Sequence, residues 1–372
     1  MKLRLLVAFA FLALAAPAAA ATPQVDARAY LVMNGANREV LLARNADDRL
    51  PIASLTKLMT ALVTLERAKP SAVVAVDRNA VGVTGSTIRL RADERVKVRD
   101  LLAGALIQSA NDAAVALAEH VGRGDSAAFV ALMNRKAQAL GLRNTHFARP
   151  DGLDASGHYS SALDVTRLAE TAMREPLVRQ LVRQVSATIS GGRVLHTWND
   201  LLGEFPGTFG VKTGHTSGAG WNEVAAARGN GVVIYATVLG SPARSVRNAD
   251  LEELLAWGMS RYALVSVAPA GRVYGRVPVT YGEDAVPVVV AKPVKRAVRV
   301  GRPLEQRVVL PDLADLPIRR GDTLGELRFY ERGRLIARSP LVAAEDRDAP
   351  STVERVKWYT GRMLSHIGGW FR

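Results

Sequence analysis

Ser54 and Lys57 lie three residues apart in the stretch Pro51 to Leu65, PIASLTKLMTALVTL. A serine hydroxyl is a poor nucleophile until a base takes its proton, and a lysine amine can be that base once its pKa is lowered. Residues three apart on a helix rise from one face within reach of each other. Leu55, Leu58, Met59, Leu62 and Leu65 recur at helical spacing, which puts the pair on the first turn of a buried helix. A helix start among apolar side chains suits both needs. The plainer alternative is that Ser54 caps the helix while Lys57 points to solvent. With 18 Ser and 9 Lys in 372 residues, chance supplies roughly half of one such spacing, so the pair needs company.

Two groupings supply it. Ser109-Ala110-Asn111 offers a hydroxyl and an amide at a helix junction, a spacing that chance produces roughly half a time. Lys212-Thr213-Gly214 closes a strand, and composition predicts only about 0.04 such triplets. The three together, in this order, resemble the motif set of serine enzymes that react with β-lactams. His146 and His158 have no third ligand at useful spacing, so no metal and no cofactor are expected.

The elements that must position these residues follow from periodicity. Ala29 to Met33 and Glu39 to Ala43 alternate around Asn34-Gly35-Ala36-Asn37 as a hairpin. Val73 to Val96 reads as short strands and turns, with a polar loop at Thr84-Gly85-Ser86-Thr87. Helical spacing covers Val98 to Val121 on both sides of Ser109–Asp112, then Ala128 to Leu140 and Leu163 to Glu175. Gly141 to Ser161 is a turn-rich loop, and Thr188 to Val194 reads as one strand. Phe209 to Thr213, Asn222 to Ala227 and Val232 to Leu239 are three strands, and Leu251 to Tyr262 is a closing helix. Strands at both ends with helices between them predict an α/β (α+β) domain, one antiparallel sheet with a helical cluster against it. Residues 264–346 change texture to short Val-rich runs broken by Gly and Pro, a small all-β domain, and Arg347 to Pro350 is a polar linker. In residues 351–372, Val353, Val356, Tyr359, Met363, Ile367 and Trp370 share one helical face with Leu364 and Phe371 beside them. Glu354, Arg355, Lys357 and Arg362 take the other face. That is an amphipathic helix suited to lie in a membrane surface; packing on its own β domain is the alternative.

Composition sets the compartment. Residues 1–21 read as a secretory leader: Lys2 and Arg4, an apolar run from Leu5 to Leu14, then Ala18-Ala19-Ala20 as a cleavage site. There is no Cys, hence neither a disulfide nor a lipidation site. The net charge of +14 becomes +12 without Lys2 and Arg4. The basic residues are dispersed and no nucleic-acid module is present, so nucleic acid is not an expected partner.

Beyond the three motifs, Ser109-Ala110-Asn111-Asp112-Ala113, Asn144-Thr145-His146-Phe147, Gly152-Leu153-Asp154-Ala155, Lys212-Thr213-Gly214-His215-Thr216 and Ala219-Gly220 look like signatures of one family. The chain resembles the low-molecular-mass (class C) penicillin-binding proteins, the serine D-alanyl-D-alanine carboxypeptidases, over nearly all its length after the leader. The Val-rich domain and tail are similar to the β domain and outer-face anchor of the membrane-attached branch. The chain differs at Phe209-Gly210, where relatives often have Asp-Gly, at Trp198, and at Pro51-Ile52-Ala53-Ser54, which resembles the endopeptidase branch.

The resemblance implies a penicilloyl-serine transferase (β-lactamase-like) fold for residues 22–263. It also implies peptidoglycan stem peptides ending in D-Ala-D-Ala as substrate, β-lactams as covalent inhibitors, and a periplasmic place on the outer face of the inner membrane. It assigns attack to Ser54, the base to Lys57 with Lys212 keeping it neutral, proton delivery to Ser109, and substrate and Lys57 contacts to Asn111. The backbone N–H groups of Ser54 and His215 form the oxyanion hole. Lys212, Thr213 and Arg247 receive the terminal carboxylate beside Gly214, with Ser86 on the cleft rim. A D,D-endopeptidase using the same serine is the second reading. A β-lactamase is disfavoured because no Glu-x-x-x-Asn follows Ser109. A non-catalytic wall-binding module has no reason to keep Ser54, Lys57 and Lys212 together.

Overall fold

The structure, a computed structural model, describes residues 3–12 and 21–368, with the side chains of 3–12, 282 and 361–368 outside the description. Lys2, Ala18-Ala19-Ala20, Trp370 and Phe371 lie outside the described residues, as do the side chains of Arg362, Met363, Leu364 and Ile367. The chain divides into two compact units, Ala20–Arg261 and Tyr262–Arg372 with Met1–Ala19. The apolar N-terminal run forms a strand, β1 (Leu3–Leu12), belonging to the second unit.

The first unit is built on a five-stranded antiparallel sheet of order β3-β2-β10-β9-β8. Its strands are β2 (Ala29–Asn34), β3 (Val40–Arg44), β8 (Thr208–Thr216), β9 (Gly220–Gly229) and β10 (Val232–Ser241). The early and late segments of this unit thus meet in one sheet, β2 pairing with β10 from Ala29↔Leu239 to Asn34↔Ile234. The β9–β10 hairpin turns at Asn230 (φ 49°) and Gly231 (φ 75°), the two left-handed residues a tight hairpin needs. Between β3 and β8 run α1 (Lys57–Arg67), β4 (Val73–Ala75), α2 (Arg78–Val81), β5 (Arg95–Lys97), α3 (Val98–Leu106), α4 (Asn111–Gly122), α5 (Ser126–Ala139), α6 (Ala162–Ala172), α7 (Pro176–Leu181), β6 (Ser186–Thr188), β7 (Val194–His196) and α8 (Leu201–Glu204). After β10 comes α9 (Arg244–Ser260).

Helix α1 is buried from Lys57 to Thr64, polar residues included, because it is the axis on which the cluster packs. Leu58, Met59 and Leu62 share one core with Leu101, Leu117, Phe129, Leu168 and Leu239. An amphipathic stripe at the protein surface leaves one face wet; a helix buried all round belongs at the centre.

Three local expectations change. Ser54 does not open an α-helix: Ala53–Thr56 is a 3-10 turn, entered through Ala53 at φ 49°, and α1 begins at Lys57. Thr188 to Val194 is not one strand but the turn between β6 and β7, because Gly191 and Gly192 both take positive φ. Helix α9 starts at Arg244 rather than Leu251, its first turns being polar and so silent in an apolar-period reading.

The second unit is all-β up to its terminal helix. A six-stranded sheet has the order β1-β15-β16-β17-β13-β12, and a two-stranded ladder pairs β11 with β14. The strands are β11 (Tyr262–Ala268), β12 (Gly275–Val277), β13 (Val286–Val290), β14 (Val294–Arg299), β15 (Leu304–Pro311), β16 (Thr323–Glu331) and β17 (Arg334–Ala343). Alternating Val and Leu fill its core, with Val288, Val308, Leu310, Leu327, Phe329 and Leu341 together. The intended linker is partly structured, Arg347 bridging to Ile318. Helix α10 (Thr352–Gly368) opens with a capping box: Glu354 Oε2 accepts from the Ser351 N–H at 2.8 Å, and the Glu354 N–H is 3.4 Å from Ser351 Oγ. Trp358 and Tyr359 pack edge-on to Tyr281, at 5.5 and 6.1 Å between ring centroids. Val353, Val356 and Tyr359 stay more than half exposed. No helix among the described residues is long and apolar enough to cross a membrane.

Candidate active site

The loop from Pro51 to Ser54 is held from two sides. Asn222 on β9 donates to Pro51 O at 3.2 Å, and Gly214 on β8 lies so close that a Cβ there would sit 2.9 Å from Ser54 N. On the other side a Cβ on Gly152 would meet Ala53 O at 2.1 Å, so glycine is required at both contacts. Below, Thr56 Oγ1 donates to Ala53 O at 2.8 Å and is 2.8 Å from His158 Nε2. The Ala148 N–H donates to His158 Nδ1 at 3.0 Å, which fixes the proton on Nε2 and makes His158 a donor to Thr56. Burial drives the His158 pKa down to about 4, so the ring stays neutral.

The Lys57 amine makes three hydrogen bonds: to Ser54 Oγ at 2.6 Å, Asn111 Oδ1 at 2.7 Å and Asp151 O at 2.6 Å. It is fully buried, and burial lowers its pKa to about 7; the Asp151 carboxylate opposes that shift and the Arg149 guanidinium adds to it. Sequence reasoning gave Lys212 the task of keeping Lys57 neutral. Burial does most of it, and the leading cation is Arg149, whose own Nε and Nη2 bond Asp151 at 2.6 and 2.8 Å.

Ser109 sits between α3 and α4 at φ 63°, and its Oγ accepts from Lys212 Nζ at 2.8 Å. Lys212 also donates to Thr213 O at 2.9 Å; burial, then the Lys57 charge, lowers its pKa well below the usual value. Asn111, first residue of α4, spends its amide N–H on Thr84 O at 2.6 Å, while Asp112 accepts from the Ile88 and Leu90 N–H groups. That pins the 84–90 loop against α4. Ser54, Lys57 and Asn111 therefore form one hydrogen-bonded group, and Ser109 and Lys212 form a second.

Ser54 and Asn111 of the first group and Ser109 of the second face a cleft of about 290 Å³, lined also by Ser86, Thr213 and Gly214, among others. Ser86 stands on the wall, its Oγ donating to Gln108 O at 2.7 Å. His215 lies flat on Trp221, with ring centroids 4.0 Å apart. Trp198 closes the opposite side, its indole N–H on Gln108 O at 3.1 Å, with Arg244 over its ring. Arg247 is not the surface residue that an Arg-rich stretch would supply: its side chain is only 2% exposed. It bonds Asp200 Oδ2 at 3.1 Å and Asn248 Oδ1 at 2.6 Å through Nη2. Asp200 also takes Arg244 in a two-pronged pair at 2.8 and 2.5 Å, which holds its carboxyl below the usual range.

Sequence reasoning missed Arg149, Asp151, His158, Asp200, Arg244 and Glu223 as parts of this site. Glu223 alone carried a signal, an acid directly ahead of the apolar run Val224–Ala227 of a central strand. The others are loop or helix-start residues, and apart from the Arg149–Asp151 pair their partners lie far along the chain.

A sheet edge bearing Lys-Thr-Gly, set against a helical cluster bearing Ser-x-x-Lys and Ser-x-Asn, defines a serine acyl-transfer enzyme of the penicilloyl-serine transferase fold. A family model described as D-alanyl-D-alanine carboxypeptidase matches residues 16–243, and one described as penicillin-binding protein 5, C-terminal domain matches residues 262–349. The chain is 32% identical to the D-alanyl-D-alanine carboxypeptidase DacA of Escherichia coli (strain K12), over 94% of this chain and 90% of that one. DacC of the same organism is also 32% identical, over 97% and 96%. The crystal structure of penicillin binding protein 5 from Haemophilus influenzae superposes with a TM-score of 0.65 at 29% identity, covering 89% of this chain and 100% of that one. The chain belongs to the D-alanyl-D-alanine carboxypeptidase family, as a low-molecular-mass, class C penicillin-binding protein and a serine-type hydrolase.

Proposed function

We propose that the chain removes the terminal D-Ala from peptidoglycan stem peptides through an acyl-Ser54 intermediate. The observation that carries this reading is the 2.6 Å separation of Lys57 Nζ and Ser54 Oγ: the two N–H groups of a neutral Lys57 go to Asn111 Oδ1 and Asp151 O, which leaves its lone pair to accept from the Ser54 hydroxyl. A neutral Lys57 takes the Ser54 proton as the oxygen attacks the scissile carbonyl. The carbonyl oxygen becomes an oxyanion facing the Ser54 and His215 N–H groups, and preorganised donors of that kind act where charge develops. The proton reaches the departing D-Ala nitrogen through Ser109, which is bonded to Lys212. Asn111 holds Lys57 through its carbonyl oxygen. Lys212, Thr213 and Arg247 attract the free carboxylate of the substrate. Water then releases the acyl group, with Lys57 again as base.

Export by the N-terminal leader and attachment of α10 to the outer face of the cytoplasmic membrane belong to the same reading. The exposed Val353, Val356 and Tyr359 beside Arg355 and Lys357 support it. The test is product analysis with a diacetylated Lys-D-Ala-D-Ala peptide and, separately, a cross-linked muropeptide dimer. Release of D-Ala from the peptide with the dimer left intact is expected. Dimer cleavage without D-Ala release would make the protein an endopeptidase.

A further inference from the structure

The sequence places an acid directly ahead of the apolar run Val224–Ala227 of β9. Glu223 pairs with Thr213 across β8 and β9, so the two side chains rise from the same face. Glu223 is completely buried, and its Oε2 lies 3.0 Å from Arg247 Nε. Yet the Nε–H is aimed at Asn248 Oδ1, 3.0 Å away, and neither carboxyl oxygen of Glu223 receives a hydrogen bond. A buried carboxylate with a charge partner but no hydrogen bond is costly.

We propose that Glu223 is the counter-charge that sets how strongly Arg247 attracts the carboxylate end of the substrate. The proposal rests on the reading that Arg247 serves that carboxylate. The charged groups facing Glu223 are Lys212 from β8, Asp200 from the segment before α8, and Arg244 and Arg247 from α9. Asp200 already spends its charge on both arginines. An ionised Glu223 cancels a second positive charge at this end of the cleft, and a protonated one leaves it available to an anion. Burial pushes the Glu223 carboxyl up to about 7, against the pull of Arg247, so both forms are populated near neutrality. The result is an enzyme whose preference for anionic over neutral substrate ends strengthens as the pH falls through about 7.

The test compares kcat/KM for a diacetylated Lys-D-Ala-D-Ala peptide with that for a thioester whose leaving group carries no carboxylate. Titration of Lys57 affects both substrates and cancels in the ratio. In wild type the peptide-to-thioester ratio is expected to rise as the pH is lowered from about 8 to about 6. In Glu223→Gln the ratio at about pH 8 should be raised roughly tenfold, equivalent to about 1.4 kcal/mol, and should change less between about pH 8 and about pH 6 than in wild type. A wild-type ratio that is flat with pH overturns the proposal, and this measurement needs no folded variant. A Glu223→Gln ratio equal to wild type overturns it too. Arg247→Ala separates the two levels: if it still harms the peptide more than the thioester, only the role of Glu223 falls. Equal losses on both substrates bring down the carboxylate reading itself.

Discussion

Replacing Lys57 by Arg keeps a positive charge and donor groups at the foot of Ser54 but removes the ability to lose a proton. The structure sets the size of the effect. A lysine at its ordinary value of 10.5 is neutral in about one molecule in three thousand at pH 7, while one lowered to about 7 is neutral in half of them. Burial therefore raises the fraction of competent base about a thousandfold. A positioned general base contributes about 10²–10⁴-fold, and the two figures agree in scale. The rate of Ser54 acylation by benzylpenicillin, followed by stopped-flow fluorescence from about pH 5 to 9, should rise with pH through about 7 and level off above it. The sign follows from the active form being the neutral amine, which is lost as the pH falls. Lys57→Arg should acylate about 10²–10⁴ times more slowly, with that limb abolished. A wild-type rate flat across this range, or a near wild-type rate in Lys57→Arg, would refute the assignment of the base.

The remaining expectations concern the frame and the tail. His158 titrates at about 4 when folded against 6.5 for the free side chain, so the unfolded chain binds the extra proton between those values. Stability should rise with pH over that window and fall by roughly 3 kcal/mol as the pH drops from 6.5 to 4, a slope that His158→Gln should lose in urea titrations. Truncation after Pro350 should release active enzyme from anionic liposomes into the supernatant, while high salt alone should release only part of the full-length protein. A truncated enzyme that still sediments with vesicles would place the anchor elsewhere.

Much of the chemistry was legible because it is written in short spacings. Ser54–Lys57, Ser109–Asn111 and Lys212–Gly214 each keep their geometry within a single turn or strand. The sequence order of strands and helices likewise reflects period, which packing then honours. What could not be read is whatever depends on approach through space. Lys57 bonds a carbonyl 94 residues away, at Asp151, and His158 supports Ala53 through Thr56 across 102 residues. The 3-10 entry to α1 was hidden because Ala53 is an unremarkable residue forced to φ 49° by Gly152 and Gly214 pressing on its backbone. The early start of α9 was hidden because Arg244 and Arg247 answer to Asp200 rather than to an apolar face.

The central claim is acyl transfer through a single serine, and the intact mass of the protein after brief exposure to benzylpenicillin tests it most directly. The account predicts one penicilloyl adduct on the wild type, carried by the peptide containing Ser54, and none on Ser54→Ala. An unmodified wild type, or an adduct that persists in Ser54→Ala, would contradict it.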